Sequence, residues 1–201
     1  MSTAVSARQL QSQEKRQRIL DAARLCFGTL GFAGATVPAI AAEAGVSNGL
    51  LYQFFRGKQQ LFEVVVGEVL RDWVRALVAT EPGISPLARL EAMFRQSVAF
   101  CRSHPLLPAL LTRDQLLELE RIDAPHLDRV DAHRELVARI LREGVAAGEL
   151  RRDLDIAATA DVVCQLQVDY STRAYRRDPR FPADDALIDG AVRFVRNALR
   201  A

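Results

Sequence analysis

Apolar residues recur along nearly the whole chain at spacings of three and four, the period of a helix that buries one face. Ile19, Ala23, Phe27 and Leu30 mark a first helix over about Glu14 to Leu30, stopped by Gly31. Leu61, Phe62, Val65, Val69, Trp73 and Leu77 mark a long helix from Lys58 to about Thr80. Two prolines and a glycine in Glu81 to Pro86 interrupt the pattern. It resumes over about Leu87 to Arg102, with Leu90, Phe94, Val98 and Cys101 on one face, and in the short segment Leu106 to Leu111. Further helices are expected over Thr112 to Glu120, His126 to Ala147, Ile156 to Arg176 and Asp184 to Arg200. Nothing alternates as a strand would. The pattern predicts an all-α protein of about nine helices: a flexible polar arm over 1–13, a small helical domain over 14–60 and a larger one over 61–201.

The run Thr36 to Leu61 reads as two short helices joined by a tight turn. Thr36 is an N-cap, Pro38 falls in the first turn where a missing donor is harmless, and Ile40 and Ala44 lie four apart on one face. Gly45 fits the left-handed position after the helix end. Val46 then anchors the turn, and Ser47 caps a second helix, Asn48 to Phe55. Leu51 and Phe55 face inward on that helix, leaving Asn48, Gly49, Tyr52 and Gln53 outward. This is the geometry that lays one helix in a DNA major groove.

The outward residues have suitable chemistry. Gln53 can pair with an adenine edge through two hydrogen bonds, and Asn48 sits in the first turn, where bases are commonly touched. Gly49 admits a close backbone approach, and the Tyr52 hydroxyl can donate to a phosphate. Arg56 and Lys58 are further phosphate ligands, Lys58 standing beside a helix N-terminus. Leu50 can touch a thymine methyl or pack against the first helix.

Thr36, Ile40–Ala41, Ala44 to Ser47, Gly49, Leu51–Tyr52, Phe54 or Phe55, Lys58 and Leu61 at these spacings resemble the signature of the tetracycline-repressor (TetR) family. Arg18 to Ala23 and Phe27 through Gly31–Phe32 resemble the family's first helix, so the likeness covers roughly residues 14 to 62. It implies an all-helical homodimer whose N-terminal helix-turn-helix binds a near-palindromic operator through Thr36, Ser47, Asn48, Gly49, Leu50, Tyr52, Gln53, Arg56 and Lys58. It also implies a C-terminal domain that binds a small ligand and releases the DNA, most commonly as a repressor.

A helix-turn-helix buries little DNA surface, so two copies about one helical turn (~34 Å) apart are expected. The last two helices carry wide apolar stripes and are the expected dimer surface, through Ala160, Cys164, Val168, Leu187, Ala191, Phe194, Val195 and Ala198. The helices between residues 87 and 176 are expected to enclose a pocket for a hydrophobic or aromatic ligand. Its candidate lining is Trp73, Phe94, Phe100, Cys101, His104, Leu110, Gln165, Gln167, Asp169, Tyr170 and Arg173.

Charge agrees in sign and place. The net charge of the 201 residues is +2, but residues 1–60 hold seven basic against three acidic residues, and the remainder holds 20 against 22. Cys26, Cys101 and Cys164 show no metal-ligand spacing and read as reduced thiols in apolar stripes. No cofactor or metal is expected, there is neither a signal-peptide pattern nor an apolar run of ~18 residues, and the reduced thiols lead us to expect a cytoplasmic location. His104, His126 and His133 form no HExxH motif, Asp123, His126 and Asp131 read as a solvated cluster, and GxSxG and phosphate-loop motifs are absent. No residue set argues for an enzyme.

Overall fold

The computed structural model describes residues 7–78, 83–110, 128–176 and 183–201. Within them the chain forms nine helices: α1 (Ala7–Gly34), α2 (Val37–Ala44), α3 (Asn48–Phe54), α4 (Lys58–Val78), α5 (Pro86–Ser103), α6 (Leu106–Leu110), α7 (Asp128–Ala146), α8 (Ile156–Arg176) and α9 (Asp185–Leu199). The one extended pairing among these residues is an isolated bridge between Leu150 and Arg200. The expected helix over Thr112 to Glu120 and the Asp123–His126 pair lie outside the described residues.

α1 differs from expectation at both ends. It begins at Ala7, so residues 7–13, expected to belong to a flexible arm, are helical and fully polar apart from Ala7 and Leu10. Gly31 interrupts the helix as expected, with φ 69° and ψ 175°, but one more turn follows to Gly34. Leu30, just before the kink, is 56 % exposed although its spacing placed it on the inner stripe. Ile19, Ala23 and Phe27 are buried as expected.

α1 packs on α2, α3 and α4, and Phe27, Phe32 and Phe62 meet in a ring cluster with centroids 4.8–6.2 Å apart. α4 carries its whole apolar stripe, Leu61 to Leu77, into one continuous core shared by both halves of the molecule. Beyond it α5 packs between α4 and α8, and α7 closes against α5 and α8. α6 lies across α1: a Cβ built on Gly28 would stand 2.8 Å from the Leu106 backbone nitrogen, so only glycine allows α6 this close to α1. α9 covers a smaller apolar cluster of Phe94, Val98, Ala174, Ile188, Ala191 and Val192. It is strapped to α5 by ion pairs, Arg196–Glu91 (2.5 Å), Arg95–Asp189 and Arg102–Asp185 (2.9 Å).

Candidate nucleic-acid interface

The local sequence builds the two short helices through their caps. The Thr36 hydroxyl accepts from the Ala39 amide (3.3 Å), and the Ser47 hydroxyl accepts from the Leu50 amide (3.2 Å). Each hydroxyl keeps its own O–H, so both caps can still donate to a phosphate. Pro38 occupies the first turn of α2. Gly45 adopts φ 63°, ψ 41°, and its amide returns to the Ala42 carbonyl while Val46 returns to Ala41. Ile40, Ala41 and Ala44 are buried, and Leu51 and Phe55 seat α3 on the same core.

The seat fixes what α3 shows to solvent. Asn48, Gly49, Tyr52 and Gln53 are all exposed, Tyr52 by 55 % although it is a large aromatic. Leu50 is half-buried beside them. Above Gly49 a Cβ would meet only the Ser47 hydroxyl, at 4.0 Å, so this stretch of backbone is open to a close neighbour. Arg56 is exposed, while its backbone amide is held by Gln60 Oε1 at 2.6 Å.

Lys58 is committed more than its sequence position suggested. Its ammonium donates to the Phe32 carbonyl at 2.8 Å and lies 4.5 Å from the centre of the Phe32 ring. It pins the end of α1 to the start of α4, and the ammonium's other two protons remain for a phosphate. Arg18 is a second residue whose role the sequence did not disclose. Its guanidinium donates to the carbonyls of Ala44 (2.5 Å) and Gly45 (3.0 Å), capping α2 from α1. Arg16 lies 5.5 Å over the Phe55 ring, at the C-terminal end of α3.

Comparison with known proteins places this geometry. The model of bacterial regulatory proteins of the tetR family matches residues 19–65. The HTH-type transcriptional repressor KstR2 of Mycolicibacterium smegmatis is 32 % identical over 152 residues, which cover 73 % of this chain and 72 % of the relative. The chain belongs to the TetR family. This TetR-family regulator is a helix-turn-helix DNA-binding transcription factor and not an enzyme. The HTH-type transcriptional repressor AcnR of Corynebacterium jeikeium is 29 % identical over 193 residues, covering 94 % of this chain and 93 % of its own. The solved ketosteroid transcriptional regulator KstR2 of Mycobacterium tuberculosis shares the fold, with a TM-score of 0.73 at 22 % identity over 100 % of this chain and 98 % of that one.

In the C-terminal domain of this TetR-family chain the candidate ligand residues part company. Trp73, Phe94, Cys101 and Leu110 are buried. Phe100 and His104 stack on each other, half-buried, with ring centroids 3.8 Å apart. Gln165 and Asp169 are exposed and do not line an interior. Each is two residues from buried Gln167, which on a helix places them on the far side. Arg173 turns outward to Asp169 (3.6 Å) and lies 5.5 Å over the half-buried Tyr170 ring.

The interior instead gathers a polar group that the sequence reading largely missed. Trp73 Nε1 donates to Ser97 Oγ (3.2 Å), which meets Ser171 Oγ (3.1 Å). Beside them His133 Nε2 meets Gln167 Oε1 (3.0 Å), and Gln167 Nε2 donates to the Met93 carbonyl (3.0 Å). The His133 and Trp73 rings are 4.7 Å apart. Burial pushes the His133 imidazole down to about 4 against the opposing pull of Gln167, so it is neutral near pH 7. Burial likewise holds the Cys101 and Cys164 thiols up at about 12. The available signal was a polar residue falling within a buried stripe: Ser97 between Phe94 and Cys101, and Gln167 and Ser171 between Val163 and Ala174.

The candidate dimer residues also divide. Ala160, Ala191 and Val195 are buried within the subunit, because Ala160 shares a face with Val163 and Gln167, and Ala191 and Val195 with Ile188 and Leu199. Ala160 and Ala191 pack the subunit's own core rather than offering a surface, whereas Val195, though buried, still lines the groove between α8 and α9. Cys164, Val168 and Leu187 are half-buried, Phe194 is 66 % exposed and Ala198 is exposed. Val162, absent from the expected set, is 58 % exposed. Val162, Leu166, Phe194 and Ala198 line an apolar groove between α8 and α9.

Proposed function

We propose that this regulator is an operator-specific repressor that binds a near-palindromic duplex as a homodimer and leaves it when a small apolar ligand occupies the C-terminal domain. The observation that carries the reading is the division of α3: Leu51 and Phe55 are locked into the core while Asn48, Tyr52 and Gln53 stand exposed on a capped, fixed helix. Gln53 and Asn48 read base edges, with Leu50 and Gly49 against the groove. Thr36, Ser47, Tyr52, Arg56 and Lys58 hold phosphates.

The α8–α9 groove supports the dimer, since an exposed Phe194 beside Val162 and Leu166 is a contiguous apolar surface of the kind that pairs about a two-fold axis. The repressor names of the curated relatives support the sign of regulation. The ketosteroid regulator among the solved relatives supports a hydrophobic or aromatic effector. The cytoplasm is where such a regulator meets chromosomal DNA.

Selection of bound duplexes from a random pool tests the reading. The expected result is a palindrome whose half-sites lie about one helical turn (~34 Å) apart or a multiple of it. Recovery of no enriched sequence would overturn it.

A further inference from the structure

α1 does not stop where its packing stops. From Ile19 onward its inner face is buried: Ile19, Leu20, Ala22, Ala23, Cys26 and Phe27 are all in the core. The same two rows continue toward the N-terminus at helical spacing, one through Lys15, Ser12 and Arg8, the other through Arg16, Ser12 and Gln9. Every residue from Arg8 to Lys15 is exposed. Glu14, the one acidic residue of this segment, falls on the opposite side of the helix.

Direction matters as much as charge. Arg16 lies over the ring of Phe55, the residue that caps the C-terminal end of α3. The cationic side of the α1 extension therefore continues from the end of the recognition helix. Eight residues of helix separate Arg16 from Arg8, about 12 Å at ~1.5 Å per residue. That overhang is comparable with the width of a major groove, about 12 Å. Exposed Arg56 directly follows Phe55 in the chain, so Arg16 and Arg56 stand at the same end of α3.

We propose that the helical extension Ala7–Lys15 is a second DNA-contacting element, whose Arg8 and Lys15 bind backbone phosphates beyond the base pairs read by α3. The proposal rests on the DNA-binding reading above. Arg8 and Lys15 are exposed cations on one side of the helix, a polyanion is their complement, and an operator seated on α3 brings one alongside. The contact adds affinity and register and carries no base preference of its own.

The test compares the full chain with the Arg8→Ala/Lys15→Ala double variant on the operator selected from the random pool, measuring affinity across salt concentrations. Alanine keeps the helix, and both side chains are exposed, so folding is unaffected. An Arg139→Ala/Arg152→Ala variant, which loses the same charge from exposed sites in the C-terminal domain, is the control. Two lost phosphates at ~0.9 each lower the slope of log affinity against log salt by about 1.8, so the affinity drop between 50 and 200 mM salt shrinks about 12-fold. The consensus selected stays the same, and ethylation interference weakens only at phosphates outside the bases read by α3. An unchanged slope in the double variant, or an equal change in the control, overturns the proposal while leaving operator recognition intact. Absence of any duplex binding by the full chain overturns both.

Discussion

Arg18 lies against Gly45: a Cβ built on Gly45 would stand 2.6 Å from the guanidinium nitrogen that donates to the Ala44 and Gly45 carbonyls. The turn of the helix-turn-helix thus has a backbone that only glycine adopts easily, with a cation from α1 over the carbonyls the turn exposes. Arg18→Ala leaves those carbonyls to water and loosens α3 relative to α1. The expected cost is about 1 kcal/mol in chemical denaturation, with weaker operator binding and an unchanged consensus. Gly45→Ala, strained at φ 63° and colliding with Arg18, costs at least ~1 kcal/mol by the same measurement.

Gln53 is the residue expected to read a base. Gln53→Ala relaxes preference at one base pair per half-site by about 1–3 kcal/mol, seen by repeating the random-pool selection. The thermal midpoint stays where it was, because Gln53 is exposed.

Lys58 joins two functions in one ammonium. Lys58→Ala lowers affinity for every sequence alike and reduces the salt slope by about 0.9, the share of one phosphate. It also lowers stability by roughly 1 kcal/mol, since the Phe32 carbonyl loses its donor. Denaturation and salt titration of the same variant separate the two effects.

Phe194 and Ala191 sit three residues apart on α9 and predict opposite outcomes. Phe194→Glu, at an exposed site in the α8–α9 groove, yields a folded monomer by sedimentation with far weaker operator binding. Ala191→Glu places a charge in the cluster beneath α9 and unfolds that helix, visible as lost helicity.

His133 makes stability depend on pH. Its folded-state value of about 4 lies below the ordinary 6.5, so burial of the neutral ring is free above pH 6.5 and is increasingly opposed as pH falls toward 4. Between pH 7 and pH 5 this one group removes about 2 kcal/mol, by the linkage relation. Denaturation of the wild type and His133→Gln at both pH values isolates it: the wild type loses that much more than the variant.

The sequence by itself determined the local structure of the reading head. Thr36, Gly45, Ser47 and the inward pair Leu51–Phe55 act within a few residues of themselves through caps, a left-handed turn and helical period, so their spacing in the chain is already their geometry. The division of stripes between core and surface was decided only by tertiary structure. Ala160 and Ala191 lie on apolar faces as good as that of Phe194, and which side of α8 or α9 meets its own subunit depends on the neighbours of the whole bundle. The same is true of long-range polar pairs. Arg18 with Gly45, Lys58 with Phe32 and His133 with Gln167 join residues 26 to 34 positions apart, and no periodicity within a helix encodes a partner on another.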